Sequence, residues 1–425
     1  MKIDRKIVLL LGVLFFVSIM YGQTSTSSPY SRFGLGDLQD NVIPAYVGMG
    51  GGSTALYSSR YINPYNPASY TAFKSKRFLA STGLSHLTTQ MQNTNMEQIT
   101  NNTSFSHIMF GFPVSKNIGL SAGLMPFSNI GYTLNSTENN YNAIESYTGD
   151  GNISKIYFGG AIKIYDNISI GINASYLFGS LNRRKELNFN DPSIMNSRSN
   201  SSINLRGYYY ELGLIYQKDF PNNKITIGLT ANNYNAEINA KQSSIIETFK
   251  TIGEDMTYSK DTTLQSIESG FITLPKFFAL GTSFERKNLI FVVDCSMQNW
   301  SEYRFFNESE NLKNTLRFSS GIEYTPGDKN TTNYFKRINY RLGISFKNSP
   351  LPLLEEAARH VLPYDEKSVS IGFGFPMRRL PHQYDVFVVL GQRGTKNDGL
   401  IEENFVRLGI SVNHKGNWFN KFKYD

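Results

Sequence analysis

The chain contains very little cysteine, with one residue in 425. This excludes a disulfide scaffold and any Cys-rich metal site. Charged residues reach only 18% and aromatic residues 14%, which excludes intrinsic disorder and a heptad-based coiled coil. The mean hydropathy of -0.32 excludes a bundle of transmembrane helices, which needs several apolar runs of about 20 residues. The abundance of Tyr, Phe and Gly still permits a transmembrane β-barrel, because barrel strands are apolar on one face only.

The sequence also lacks the common motifs of enzymes and metal sites. No two of its five histidines stand at the spacing of metal ligands, and it has no Gly-x-Ser-x-Gly elbow. The glycine cluster at 48–52 lacks the Lys-Ser/Thr of a phosphate loop. A Ser–His hydrolase inside a barrel stays an alternative to ordinary strand residues, because His107 follows Ser104 and Ser106. We predict that the chain is not an enzyme and that it has no cofactor and no metal.

Residues 1–22 have the pattern of a secretory signal. Lys2, Arg5 and Lys6 precede an apolar run from Ile7 to Met20, which is too short to span a bilayer comfortably. A retained N-terminal anchor is the alternative. The positive charge of the remaining chain is spread along it without a Lys/Arg cluster, so we predict no nucleic-acid partner.

After residue 75 the dominant pattern is alternation with a period of two. In 168–178, Ile, Ala, Tyr and Phe at the even positions share one face, and Ser, Gly and Asn share the other. The pattern recurs in 338–346, 368–375 and 406–412. An apolar face opposite a face of small polar residues suits lipid outside and a wet or plugged lumen inside. A soluble β-sandwich is the alternative, because its strands alternate as well.

The alternation predicts fourteen strands whose connections are mostly long and short in turn. The strands are 77–86, 103–114, 117–138, 153–165, 167–182, 203–217, 223–238, 275–286, 288–298, 316–325, 334–346, 368–376, 384–391 and 404–412. Long loops at one end and tight turns at the other are typical of outer-membrane barrels. An even number of strands places both termini in the periplasm, as a cleaved signal requires. One short helix is predicted at 351–359, in a long loop.

The predicted fold class is therefore all-β: a transmembrane antiparallel β-barrel over 77–412, followed by a periplasmic tail at 413–425. We expect it in the outer membrane of a Gram-negative bacterium, in contact with outer-membrane lipid. Residues 23–76 are too rich in Gly and Pro for a strand and too apolar for a loose tail, so they are predicted to fold back into the lumen as a plug, or hatch.

Several charged residues alternate onto the polar faces and are predicted to lie in the lumen. They are Lys155, Lys163, Glu211, Asp294, Arg317, Glu323, Arg341 and Arg407. Two interpretations stay open for them. They form ion pairs that hold the plug against the wall, or they line a polar conduit or head-group site.

The order of motifs resembles the FadL/TodX family of outer-membrane transporters. The chain has a signal segment, a glycine-rich MGGGSTALYSS stretch, and Asn66-Pro67-Ala68 just before the first predicted strand. The resemblance implies a hatch containing the Asn-Pro-Ala motif inside a fourteen-stranded barrel. It also implies a kink in the third strand that opens the wall sideways to hydrophobic substrates. The residues of this lateral gate would be Pro126, Phe127, Ser128, Asn129, Ile130 and Gly131.

The C-terminal part, with GQRGT at 391–395 and the ending WFNKFKYD, resembles a Bacteroidota-type branch of that family. The branch includes barrels that serve as subunits of secretion or assembly complexes. Two functions therefore stay open. One is passive transport of hydrophobic or amphipathic, fatty-acid-like small molecules with exit at the kinked third strand. The other is a non-transporting barrel subunit of an outer-membrane complex, bound to other subunits.

Overall fold

The structure is a computed structural model that describes residues 28–40, 42–74, 76–94, 96–138, 143–191, 193–233, 236–252, 256–327, 331–348, 365–377, 381–396 and 401–417. The predicted signal segment and the predicted helix at 351–359 lie outside the described residues. Of the predicted tail, the structure describes residues 413–417, and these continue the last strand.

Most of the described chain is β-strand. The strands are β1 (Asp37–Leu38), β2 (Arg77–Gln92), β3 (Glu97–Pro113), β4 (Ile118–Glu138), β5 (Ala143–Tyr165), β6 (Ile168–Phe189), β7 (Asn196–Asp219), β8 (Asn223–Asn232), β9 (Glu237–Ile252), β10 (Met256–Thr273), β11 (Lys276–Arg286), β12 (Leu289–Asn299), β13 (Arg304–Phe305), β14 (Thr315–Tyr324), β15 (Asn339–Asn348), β16 (Asp365–Pro376), β17 (His382–Arg393) and β18 (Glu402–Asn417). The helical pieces are one α-helix, Pro44–Val47, and 3-10 helices at Pro29–Arg32, Pro67–Ala72, Trp300–Glu302 and Phe335–Arg337. Among the described residues, no helix is long and apolar enough to cross a bilayer.

Fourteen of these strands form a closed antiparallel barrel, which confirms the predicted fold class. β1, β9, β10 and β13 are the additional strands. The barrel closes where β18 pairs with β2, in a register that runs from Glu402 opposite Gln92 to Asn417 opposite Arg77. One end of the barrel carries the tight turns and both ends of the barrel chain, and we call it the turn end. The opposite end is the loop end.

The alternation of the sequence appears as an alternation of exposure. On β6, Ile170 and Ile172 are exposed on the outer surface, whereas Ser169 and Asn173 are buried inside. Large apolar side chains are exposed in the same way on nearly every barrel strand. An outer surface of this kind suits the hydrocarbon layer of a membrane.

The segment 239–274 differs from its prediction as a long loop, because β9 and β10 form a hairpin there. The hairpin pairs in register from Glu237 opposite Thr273 to Ile252 opposite Met256, with two irregularities. β9 also pairs with β7 beyond the end of β8. Residues 261–269 of β10 are exposed on both faces. Both faces of this strand meet water, so its sequence carries no alternation that would reveal it.

Residues 28–74 pack against the inward-facing side of the wall, and we call them the hatch. Two buried clusters combine hatch and wall side chains, one around Leu35 and Ile130, the other around Tyr46, Tyr70 and Tyr157. The apolar core of the protein therefore lies inside the barrel, between hatch and wall.

Candidate functional site: the hatch, the lumen and the third barrel strand

The Asn66-Pro67-Ala68 motif begins the 3-10 helix Pro67–Ala72. The backbone N–H of Ala68 donates to Asn66 Oδ1 at 3.1 Å, so Asn66 caps the helix and Pro67 stands at its first position. Asn66 Nδ2 donates to the carbonyl of Thr54 at 2.7 Å. Longer bonds of 3.3 and 3.4 Å reach the carbonyls of Leu214 on β7 and Leu229 on β8. The buried Asn66 side chain thus joins two parts of the hatch to each other and to the wall.

Glycines on the wall let the hatch backbone approach it very closely. A Cβ atom at Gly213 would lie 2.2 Å from Asn66 Oδ1, and one at Gly171 would lie 2.5 Å from the carbonyl carbon of Pro67. Six wall glycines would place a Cβ within 2.5 Å of a hatch atom. They are Gly119, Gly171, Gly213, Gly228, Gly321 and Gly343. We call them the wall glycines. Any side chain at these positions would displace the hatch or the strand.

Arg341 is the centre of a buried ionic network near the turn end. Its Nε donates to Glu323 Oε2 at 2.6 Å and its NH1 to Asp385 Oδ1 at 2.6 Å. Its NH2 donates to the hydroxyl of Tyr61 in the hatch at 2.7 Å, and that hydroxyl donates to Asp385 at 3.0 Å. Arg60 of the hatch adds an ion pair of 3.0 Å to Glu323. This network links three wall strands to the hatch.

Asp294 and Arg317 bind the hatch in the same direct way. Asp294 Oδ2 accepts the N–H groups of Ser53 and Thr54 at 2.6 and 2.7 Å and the Thr54 hydroxyl at 2.7 Å. Arg317 forms a 2.5 Å ion pair with Asp40 and donates to the carbonyl of Gly50 at 3.2 Å. These contacts fix the hatch on the side of β12 and β14.

The pKa of Asp40 follows from the charges around it. Burial raises the pKa, but the neighbouring cations Arg317, Lys347 and Arg407 outweigh burial, so the pKa lies below its ordinary value. Asp40 therefore stays ionised and keeps its ion pair to Arg317 at neutral pH.

The remaining predicted lumen charges have different surroundings. Lys155 on β5 is fully buried and forms two 3.0 Å bonds to both carboxylate oxygens of Glu211 on β7, so this pair joins wall to wall. Arg407 is half-buried, with its guanidinium 5.9 Å from the ring centroid of Phe405. Lys163 is half-buried close to the turn between β5 and β6.

The predicted gate residues lie where β4, the third barrel strand, separates from β3. The two strands pair from Pro113 opposite Gly119 to Ile108 opposite Leu124. Beyond Leu124 the register between β4 and β5 skips Phe127, which is a bulge residue after Pro126. β3 carries an irregularity at the same level, opposite Gly83 and Leu84 of β2.

Beyond the separation, the hatch takes the place of β3 at the edge of β4. β1 pairs there, with Asp37 opposite Asn129 and Leu38 opposite Ser128. The N–H of Ser28 donates to the carbonyl of Gly131 at 2.8 Å, and the N–H of Gln39 donates to that of Phe127 at 2.9 Å. Residues 127–132 are all buried, so the alternation of exposure stops in this stretch.

Small cavities remain in the lumen between the hatch and the loop end. The largest has a volume of about 170 Å³ and is lined by charged and polar residues that include Asp40 and Arg407. A second, of about 80 Å³, lies beside Phe127 and Tyr209. A third, of about 90 Å³, lies at the strand separation between residues 104–106 of β3 and Met125–Pro126 of β4.

A sequence profile of the BamG family matches residues 3–425. The chain belongs to the BamG family. Solved structures with the same fold are a FadL homologue of Pseudomonas aeruginosa and the toluene transporters TbuX of Ralstonia pickettii and TodX of Pseudomonas putida. Their sequence identities to this chain are 11%, 14% and 12%, with TM-scores of 0.65, 0.60 and 0.60. The alignments cover 90%, 88% and 90% of this chain and 99%, 98% and 100% of theirs. No curated protein matches the chain.

The resemblance to FadL-type outer-membrane barrels is thus confirmed at the level of the fold, for a chain of the BamG family. Assignment to a Bacteroidota-type branch stays a prediction. The three structural neighbours are named as a FadL homologue and as toluene transporters, not as enzymes, in agreement with the prediction that the chain is not an enzyme.

Two Ser–His contacts occur in the described part of this BamG-family barrel, and both involve His107. Ser106 Oγ, next to it in sequence, lies 3.0 Å from His107 Nδ1. Ser81 Oγ lies 2.8 Å from His107 Nε2 and donates to Asn413 at 2.7 Å. Ser81 and His107 are at most 5% exposed and line none of the described cavities, whereas Ser106 lines the cavity of about 90 Å³. A substrate therefore has little room beside these side chains, and we interpret both contacts as packing of the wall.

Sequence reasoning did not identify Asp385 or the hatch residues that bind the charged wall residues. Asp385 shares the inward face of β17 with the apolar residues Phe387 and Val389. The sequence of this strand is therefore largely apolar on both faces and does not show which face is the inner one. Arg60, Tyr61 and Asp40 lie in a segment without periodicity, where no pattern indicates which side chains meet the wall.

Proposed function

We propose that the chain is a plugged outer-membrane barrel that acts as a subunit of an envelope complex. In this function the hatch stays fixed against the wall. The observation that carries this proposal is the close contact between hatch backbone and wall glycines. An outer-membrane location with both ends of the barrel in the periplasm is supported by the fold and by Arg77 and Asn417, which meet at the turn end.

The cost of moving the hatch argues against a conduit. Withdrawal would remove the partners of Asp294, Glu323 and Arg317 that the hatch supplies. Loss of one partner of a buried charge costs about 3–5 kcal/mol. Several such losses together exceed what thermal motion supplies, so the hatch stays in place. The cavities between the hatch and the loop end are small, at about 80–170 Å³, and charged or polar side chains contribute to the lining of each.

The β9–β10 hairpin supplies a surface for binding other subunits. It extends beyond β8 and β11 at the loop end, with Leu264, Ile267 and Phe271 exposed to 51%, 60% and 47%. Within the described residues, β10 pairs with β9 and, at its base, with β13, so much of its second edge is open. Open strand edges with apolar side chains are ready templates for another protein.

The first experiment measures conductance. The full-length protein in a planar bilayer should be nearly closed, and deletion of residues 30–70 should open a large stable conductance. A full-length barrel that conducts as well as the deletion variant would contradict the fixed hatch.

The second experiment isolates the tagged protein from detergent-solubilised membranes by affinity and size exclusion. We expect a stoichiometric complex from the parent chain. A variant in which residues 241–269 are replaced by Gly-Ser-Gly should fold, because Lys241 and Ser269 are paired and the deletion shortens both strands of the hairpin to the same level. This variant should lose the complex. A monomeric parent protein would contradict the proposal.

A second candidate function is passive transport of small hydrophobic or amphipathic molecules, with lateral exit at the gate residues. It is favoured by the separation of β3 from β4 beyond Leu124 and by the cavity at that point. The structural neighbours named as toluene transporters are compatible with it. In this function, Gly131→Trp should abolish uptake and leave the barrel folded.

A deletion strain separates the two functions. Slow growth on fatty acids or aromatic hydrocarbons, restored by the parent gene and not by Gly131→Trp, would favour transport. Normal growth on these substrates together with loss of the isolated complex would favour the subunit.

A further inference from the structure

The mouth of the barrel at the turn end is a wide basic vestibule. A cavity of about 830 Å³ lies there, with hatch residues 56–61 on its inner side. Among the described residues, seven basic residues line it: Arg60, Lys74, Arg77, Lys224, Lys287, Arg337 and Lys415. Two acidic residues of the described chain also line it, Glu285 and Glu323. Glu323 is bound by Arg341 and Arg60, and Lys224 lies 3.9 Å from Asp219. The described lining of the vestibule therefore keeps an excess of positive charge beyond these pairs.

The charge is specific to this end of the molecule. The loop-end cavity of about 170 Å³ has four acidic and three basic lining residues, which are Asp37, Asp40, Glu366, Glu403, Lys347, Arg393 and Arg407. Arg393 lies 2.8 Å from Asp37 and 3.8 Å from Glu403 among these charges. General basicity of the chain does not explain the vestibule, because the opposite cavity is nearly balanced.

The basic residues surround the vestibule instead of forming one compact cluster. Lys74 and Arg77 lie at the start of β2, the first barrel strand, and Lys224 lies at the start of β8, the seventh. In a barrel of fourteen strands, these positions are on opposite sides. Lys287 and Arg337 come from two further connections. One small anion cannot contact both sides of such an opening, whereas an extended chain with several carboxylates can.

We propose that the vestibule binds an acidic segment of a protein partner. The partner would approach from the periplasm and insert an Asp/Glu-rich stretch into the mouth. The acidic chemistry follows from charge complementarity, because a cleft lined by positive charges attracts and steers a negatively charged chain. Tyr46, Leu56 and Ile290 also line the vestibule and offer contacts to apolar side chains of the same segment. The inference rests on the proposed role as a subunit and adds the chemistry of one partner.

The test uses the purified full-length protein in a non-ionic detergent. The probe is a fluorescein-labelled twelve-residue peptide of alternating Glu and Leu, followed by fluorescence anisotropy, with a Lys/Leu peptide as the negative probe. The parent protein should bind the Glu/Leu peptide alone, and binding should weaken steeply with salt because exposed charges are screened.

Two matched triple variants locate the site. Replacement of Lys74, Lys224 and Lys287 by Ala should raise the Kd for the Glu/Leu peptide at least tenfold. The control replaces Lys116, Lys163 and Lys218 by Ala, because they lie near the turn end outside the vestibule, and should leave the Kd within twofold. Equal effects of the two variants, or no binding by the parent protein, would overturn the inference.

An anionic membrane surface is the competing ligand, and vesicles of phosphatidylglycerol test it. Binding of these vesicles that the vestibule variant abolishes, without binding of the Glu/Leu peptide, would overturn the protein partner. Failure of the proposed function is seen separately. A parent protein isolated as a monomer refutes the subunit role, whereas a vestibule variant isolated with its full complex refutes only the acidic segment.

Discussion

Replacement of Gly213 by alanine tests whether the wall glycines hold the hatch in place. The added Cβ would lie 2.2 Å from Asn66 Oδ1 and 2.8 Å from Pro67 Cδ. An ordinary contact begins near 3.4 Å, so the hatch or β7 must shift by about 1.2 Å. This shift stretches the bonds of 3.3 and 3.4 Å from Asn66 to the wall carbonyls of Leu214 and Leu229. With about 1 kcal/mol for these hydrogen bonds and about 1–3 kcal/mol for overpacking, we expect a loss of about 2–4 kcal/mol.

The assay follows unfolding in urea by the gel mobility of the folded barrel and, in parallel, protease cleavage within the hatch. Gly160→Ala is the matched control, because Gly160 faces outward on β5 and its nearest neighbour would be the flexible end of Leu120 at 3.2 Å. Gly213→Ala should unfold at lower urea and be cleaved in the hatch, while the control should behave as the parent. If Gly213→Ala matched the control in both measurements, the close approach would not fix the hatch.

Three further outcomes follow from the charges inside the barrel. Arg341→Met should cost about 3–5 kcal/mol in the same assay, because it leaves buried carboxylates without their cation; a variant as stable as the parent would contradict the network. Lys155→Met should be similarly destabilising, and the double variant with Glu211→Leu should recover most of the loss; a double variant worse than the single would contradict a wall-to-wall pair. The lowered pKa of Asp40 means that its ion pair to Arg317 is retained at neutral pH and is lost as pH falls through the folded-state pKa. The stability difference between parent and Asp40→Asn should therefore be constant above about pH 5 and shrink in acid; a difference that grew in acid would reverse the sign of the argument.

The barrel could be predicted from the sequence because lipid and lumen impose opposite chemistry on neighbouring residues. All fourteen predicted strands exist, and most extend further toward the loop end. The first was predicted as 77–86 and runs to Gln92, and the second was predicted to begin at 103 and begins at Glu97. Outside the lipid layer both faces of a strand meet water or protein, so alternation stops before the strand does. The β9–β10 hairpin was missed for the same reason.

The site was predictable only in part, since the sequence indicates which residues face inward but not what they meet. The alternation placed Arg341 and Glu323 on inward faces, and the structure joins them. It gave no sign of Tyr61 or Arg60, because a hatch without regular structure has no period from which a face can be derived. The position of Pro126 in an alternating strand was the one local signal for the separation of β3 from β4.

The links between the hatch and the last strands bear on the order in which the barrel is built. Ser28 Oγ donates to Glu403 at 2.6 Å, Asp37 pairs with Arg393 at 2.8 Å, and Tyr61 bonds to Asp385. These wall residues belong to β17 and β18, which complete the sheet by joining its first strand. If the sheet closed around an empty lumen, these residues would lose their hatch partners in a confined space. We therefore expect the earliest part of the chain to lie against the sheet before its latest part closes the barrel, so that the wall closes around the hatch.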